Sequence, residues 1–160
     1  MSPDDLTAYL HIHIPLTAAL GARVMSFDSR QMEIAAPLAP NRNHRGTAFG
    51  GSLATLGILG GWSLLNTVLE RQKLVAKIVV QHSDCEFREP VAADFTALSV
   101  LPEAEWPRFL TTLRRHRRAR IAIETQIRAN GRAVVTHRGR YAAFLESPLE
   151  SPNDSFAPET

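Results

Sequence analysis

The sequence predicts an α+β domain in which an antiparallel sheet of about six strands wraps around one long apolar helix. Three observations predict it. No charged residue occurs from Ala48 to Leu69, and a wholly apolar helix among half-buried strands belongs in a core. Runs with the two-residue period of strands stand on both sides of that helix. Asn130-Gly131, between two such runs, is a strong hairpin-turn pair. With 160 residues and 44% hydrophobic content, the chain supports one domain, expected over 1–145.

The elements follow in order. Asp4 to Leu20 reads as a short helix interrupted at Pro15, because the residue before a proline is pushed out of helical geometry. Arg23–Phe27 and Gln31–Ala36 form a hairpin across Asp28-Ser29-Arg30 and end before Pro37 and Pro40. The core helix runs from Ser52 to about Arg71, with Ser52 as its cap. Its interior glycines each cost about 1 kcal/mol relative to alanine, which close approach of a strand or helix would offset. Leu74–Phe87 is a long strand, Ala93–Val100 another, and Glu103–Arg114 a short helix or an excursion made irregular by Trp106-Pro107. Arg118–Ile127 buries Ala119, Ile121, Ile123, Thr125 and Ile127 on one face, and Arg132–Phe144 pairs back to it.

Charge is uneven. The formal net charge is +2, yet Arg108 to Arg140 holds ten arginines and a single acid, Glu124. Residues 146–160 carry four acids, three prolines and no base, and read as a disordered acidic tail. The acidic Met1-Ser2-Pro3-Asp4-Asp5 start is unlike a signal peptide, and a lone Cys85 forms no internal disulfide; both point to the cytoplasm. The apolar run is long enough to cross a bilayer, but its five glycines and five polar residues assign it to a soluble core rather than a membrane.

The stretch most suggestive of chemistry is Asn41 to Ser52, a polar, glycine-rich loop opening onto the apolar helix. Unpaired N–H groups at a helix start favour developing negative charge, and glycines let a carbonyl approach the backbone. An oxyanion or enolate is the expected species.

Asn43 to Ser52, an Asn-x-x-Gly-Thr-x-Phe-Gly-Gly-Ser loop between a strand pair and an enclosed helix, resembles the hotdog fold and, within it, the thioesterase family of the YiiD C-terminal type. His13-Ile14-Pro15-Leu16 and Gly61-Trp62 are similar to that pattern too, and the resemblance spans roughly residues 6–145. It implies a homodimer joined sheet to sheet with pockets at the subunit interface, the pairing of dimers into tetramers left open. It implies an acyl thioester substrate on coenzyme A or acyl carrier protein, and no cofactor. Members have been assigned as malonyl-carrier-protein decarboxylases, which start fatty-acid synthesis.

Many hotdog thioesterases with a His-Gly-Gly loop carry an acid about two turns into the helix. Here Phe49 stands where that His would, and the corresponding helix stretch is Gly57-Ile58-Leu59. Decarboxylation needs no base, only donors for an enolate. The resemblance makes Asn43, Thr47, Gly50 and Gly51 the expected catalytic set. His44, Phe49, Ser52, Leu53 and Leu56 are the expected substrate contacts, Phe49, Leu53 and Leu56 forming a dry wall. Hydrolysis would draw its base from Asp84 or Glu86, and a non-catalytic acyl-carrier-binding protein is the remaining class.

The basic run Arg114 to Arg120 reads as a docking face for an acidic carrier protein, with Arg115, Arg117 and Arg118 as contacts. It lacks the interleaved aromatics and motifs of nucleic-acid binding, so no nucleic acid is expected. His11-x-His13 has no third ligand and predicts no metal site. His82 and Cys85, on opposite faces of a strand, are not expected to pair.

Overall fold

The computed structural model describes residues 1–146; the acidic tail expected over 146–160 lies outside them apart from Glu146. Two N-terminal helices, α1 (Pro3–His13) and α2 (Pro15–Ala19), precede the hairpin β1 (Arg23–Phe27) and β2 (Gln31–Ala36). A single turn over Ala39–Asn41 leads to the central helix α3 (Gly50–Arg71). The strands β3 (Ala76–Phe87), β4 (Phe95–Val100), β5 (Arg118–Ala129) and β6 (Arg132–Leu145) follow, with α4 (Trp106–His116) between β4 and β5. They form one six-stranded sheet in the order β1-β2-β4-β5-β6-β3, every neighbouring pair antiparallel. Helix α3 packs against β2 to β6, so the sheet wraps around it as the hotdog fold requires.

Pro3 and Pro15 both open helices, where a missing N–H is harmless, and Ser2 closes a reciprocal cap with Asp5. The Asn130-Gly131 turn takes φ values of 50° and 76°, the left-handed pair a tight hairpin demands. Helix α3 is long and apolar enough to cross a membrane, but two thirds of its apolar window is buried inside the domain, as a core helix is.

The glycines of α3 are explained by the strands beneath it. A Cβ on Gly57 would lie 2.7 Å from His137 Cβ and Cγ, one on Gly60 would lie 2.5 Å from Ser99 Oγ, and one on Gly61 would strike the Tyr141 hydroxyl. Tyr141 is fully buried and donates its hydroxyl to the Ile58 carbonyl at 3.0 Å. Helix and sheet therefore approach along a stripe that admits no side chain.

Three elements differ from the sequence reading. Trp106-Pro107 does not make an irregular excursion: the proline sits in the first turn of α4, which is a regular amphipathic helix with Phe109 and Leu113 buried. Ser52 is not the cap of α3; the helix begins two residues earlier, behind Phe49, with no side-chain cap. A bulge between Val80 and His82 shifts the phase of β3. Val80, Ser83, Cys85 and Phe87 thereby register with Tyr141, Gly139, His137 and Val135 on the inner face, while Asp84 and Glu86 face outward.

Candidate functional site

The loop before α3 is built around Asn43. Its backbone N–H donates to Thr47 O at 2.7 Å, and its carbonyl accepts from Gly46, whose φ of +82° suits glycine. The side-chain Oδ1 accepts from the N–H groups of Arg45 at 2.8 Å and Thr47 at 3.3 Å. These two donors fix the amide orientation, so Nδ2 faces Thr47 Oγ1 at 2.9 Å. Its other approach, to Ala48 O, is only 3.5 Å, which leaves a weakly held donor. Asn43 thus closes the turn and presents an N–H beside a threonine hydroxyl.

The loop is pinned at its base. Ala48 N–H donates to Val91 O and Phe49 N–H to Asn41 O, both at 2.7 Å. Asn41, 2% exposed, ties the segment to the Leu20 and Pro37 carbonyls through Nδ2, a structural role. Among the described residues the N–H groups of Gly50 and Gly51 have no partner, and no acid occupies the first turn of α3. The helix dipole and these free donors make the junction electropositive without a formal charge.

Asn43, Thr47, Ala48, Gly50 and Leu53 line one pocket of about 360 Å³ with Phe87, Arg88, Glu89, Pro90 and Val91. Phe49 is 58% exposed and lays its ring over Gly51, the contact that requires glycine there. Leu56 is fully enclosed in the core, His44 is exposed on the loop, and Ser52 stands in the first helical turn, donating its N–H to Phe49 O. Sequence reasoning missed the segment Phe87 to Val91. A strand end followed by Pro90 signals a turn but carries no sign of a pocket wall.

Glu89 is the carboxylate in that wall, and Arg132 holds it at 2.8 Å. Asp84 and Glu86, the bases suggested for hydrolysis, lie on the sheet face away from α3. Arg138 stands 3.9 Å from Glu86 and 3.3 Å from Glu124 on that outer face.

A second polar group was not legible in the sequence. His137, on the inner face of β6 against Gly57, is fully buried, and its Nε2 meets Ser83 Oγ at 2.9 Å while Nδ1 has no partner. Burial pushes its pKa down to about 4 against a smaller opposing pull from Asp84, so the ring is neutral at pH 7. Cys85 sits directly across from it and is half-buried, its thiol raised chiefly by burial. His82 faces the other way, opposite Arg140. At the N-terminus, His11 bonds the Ala22 carbonyl at 2.8 Å and His13 packs on Tyr9.

The basic run is divided among elements. Arg114 and Arg115 end α4, Arg117 turns the chain at φ 58° and bonds Leu145 O, and Arg118 and Arg120 begin β5. Arg118, Arg120, His116, Thr112, Ala142 and Phe144 frame a pocket of about 270 Å³. Arg118 and Lys77 both pair with Phe144, at the opposite end of β3 from Phe87. Ten residues of strand separate the two ends, about 33 Å. Within one chain, therefore, Arg115, Arg117 and Arg118 do not join the Asn43 loop.

The fold recurs in a protein of unknown function from Chlorobaculum tepidum, at 25% identity and a TM-score of 0.82, covering 91% of this chain and 98% of that one. A protein described as a putative thioesterase from Shewanella oneidensis matches at 25% identity and 0.81, covering 89% and 96%. The thioesterase HI1161 of Haemophilus influenzae, at 14% identity and 0.73 over 94% and 96%, shows the same fold. The family described as putative thioesterase (yiiD_Cterm) matches residues 3–145, nearly all of the described chain, and the protein belongs to that hotdog-fold family.

Proposed function

We propose that this protein converts a malonyl thioester, carried on acyl carrier protein, into the acetyl thioester at the junction of the Asn43 loop and α3. The observation that carries the reading is a donor set without a free base. Asn43 Nδ2, the Thr47 hydroxyl and the unpartnered N–H groups of Gly50 and Gly51 surround a pocket whose carboxylate, Glu89, is bonded to Arg132.

The chemistry follows from charge. The bond between the malonyl carboxylate and Cα breaks, carbon dioxide leaves, and the electron pair moves onto the thioester oxygen as an enolate. Preorganised donors aimed at that oxygen lower the barrier, and each is worth about 10²–10³ in rate when removed. The pocket side of Leu53 and Phe87 is apolar, so the substrate carboxylate loses water as it enters. Solvent at the open mouth then returns a proton to Cα.

Hydrolysis is the second reading, and Glu89 favours it, because a carboxylate in the pocket wall is where a base for water would stand. We keep the cytoplasm as the setting of the proposed reaction, with which a free Cys85 is compatible.

The homodimer belongs to the same proposal. Helix α1 blocks the β1 edge, where Val24 N–H bonds Thr7 Oγ1 and Ala22 O bonds His11. The other edge, β3, is twelve residues long, pairs with β6 alone among the described strands, and exposes Val79 and Val80. A long unpaired edge is a template for a second strand. Asn43→Ala tests the reading: turnover of malonyl-carrier protein is lost while the dimer stays folded, and an active, folded variant contradicts it.

A further inference from the structure

We infer that Ser83 is a further substrate contact of the proposed site: its hydroxyl, aimed by His137, takes the terminal carboxylate of the malonyl group and sets a preference for malonyl over acetyl. The inference rests on the malonyl-thioester reading above and adds the group that recognises the acid.

Two elements running side by side lead from the loop to Ser83. On the inner face of β3, Cys85 and then Ser83 follow back from Phe87, which lines the Asn43 pocket. On α3, a Cβ on Gly50 would lie 3.5 Å from the Phe87 ring, and one on Gly57 would lie 2.7 Å from His137. These glycines are about 10 Å apart along the helix, and Ser83 Oγ is held 2.9 Å from His137 Nε2. A thioester oxygen bonded at the helix start and a carboxylate oxygen bonded to a hydroxyl beyond it span a similar length, two hydrogen bonds with the malonyl group between them, about 10 Å in all.

The imidazole decides which way the hydroxyl points. His137 is fully buried with Nδ1 unpartnered, and an orphaned N–H costs more than an orphaned lone pair. The proton therefore sits on Nε2, which donates to Ser83 Oγ. Ser83 itself is exposed, and its O–H is left to donate outward on the α3 side of the strand.

The lack of charge at this point singles out the role. Asp84 and Glu86 face outward, and Arg88 at the pocket wall turns its guanidinium to Thr136 Oγ1 on that outer face. Burial keeps the His137 ring neutral at pH 7. A cation here would stabilise the carboxylate in the bound ground state and raise the barrier to losing its charge, whereas a neutral donor holds one oxygen and leaves the charge free to move. Held by Ser83 at one end and by the loop donors at the other, the carboxylate is turned out of the thioester plane, where breaking its bond to Cα feeds the electron pair into the enolate.

The test compares the acid with the product that lacks it. Consumption of malonyl-carrier protein is followed for the wild type, Ser83→Ala and Ser83→Thr, with acetyl-carrier protein as inhibitor. Ser83→Ala is expected to raise KM for malonyl-carrier protein about tenfold or more, as loss of a hydrogen bond to a charged group does, while the acetyl inhibition constant stays where it was. Ser83→Thr keeps a hydroxyl on a residue suited to a strand and is expected to restore the wild-type KM. An unchanged KM in Ser83→Ala, or a weakening of both acyl forms by the same factor, overturns the inference. His137→Phe removes the group that aims the hydroxyl, so it is expected to raise KM as well and to add nothing in the Ser83→Ala background; additive losses overturn the positioning by His137. Free carrier protein as the product overturns the proposed function instead, and leaves the comparison of KM values standing.

Discussion

Gly57 of α3 and His137 of β6 meet face to face, so closely that a Cβ on the glycine would lie 2.7 Å from the imidazole carbons. The contact fixes how far the helix sinks into the sheet and buries a titratable ring that no apolar neighbour can satisfy at Nδ1. Gly57→Ala improves helix propensity by about 1 kcal/mol yet forces His137 or the helix aside, at about 1–3 kcal/mol for overpacking. The expected result is a lower denaturation midpoint. An unchanged or raised midpoint would show that the helix can shift freely, contrary to this packing.

His137 makes stability depend on pH. Its pKa falls from 6.5 in the unfolded chain to about 4 in the folded one, so the unfolded state binds more protons between those values. Stability is therefore fully present above pH 6.5 and declines as pH drops toward 4, by up to about 3 kcal/mol. Its inner-face neighbours do not confuse the reading, since Cys85 and Tyr141 are both pushed upward and stay neutral in that window. Imidazole resonances followed by NMR should show one ring that does not titrate from pH 8 to about 5. A ring titrating near its ordinary value at this position would contradict the burial.

Thr47 is expected to act through Asn43 as well as on the substrate. Thr47→Val removes the oxygen that Nδ2 meets at 2.9 Å and leaves the amide held through Oδ1 alone. A loss of about tenfold to a hundredfold in kcat, with KM changed little, is expected for a donor that matters only as charge develops. A variant in which KM alone rises would make Thr47 a ground-state contact.

The β3 edge gives a prediction about assembly. Val79→Lys and Val80→Lys place charges on the exposed strand that the proposed second copy would cover. Under the proposed dimer, sedimentation should report monomers where the wild type reports dimers, together with loss of turnover if the pocket lies at the interface. Monomeric variants that keep full activity would contradict that placement.

Patterns with a strong period were legible from the sequence, and approaches between distant residues were not. The β1–β2 hairpin, the Asn130-Gly131 turn and the inner face of β5 follow from local rules, and the structure has them where the alternation of residues puts them. The bulge after Val80 was invisible, because a one-residue slip leaves no mark on an alternation whose two faces are both mixed. Ser52 has a capping side chain in a plausible position, yet Gly50 and Gly51 can continue a helix backward beneath the Phe49 ring. At the site, the loop residues were legible from their motif. Glu89, Arg132 and His137 were not, since each comes to its place through tertiary pairing rather than sequence spacing.

The central claim is decarboxylation, and one incubation tests it most directly. Purified protein is mixed with malonyl-carrier protein and both acyl species are followed by mass spectrometry. The account predicts loss of the malonyl form with matching appearance of acetyl-carrier protein. Free carrier protein in its place would contradict it and turn attention to Glu89 as the base of a hydrolase.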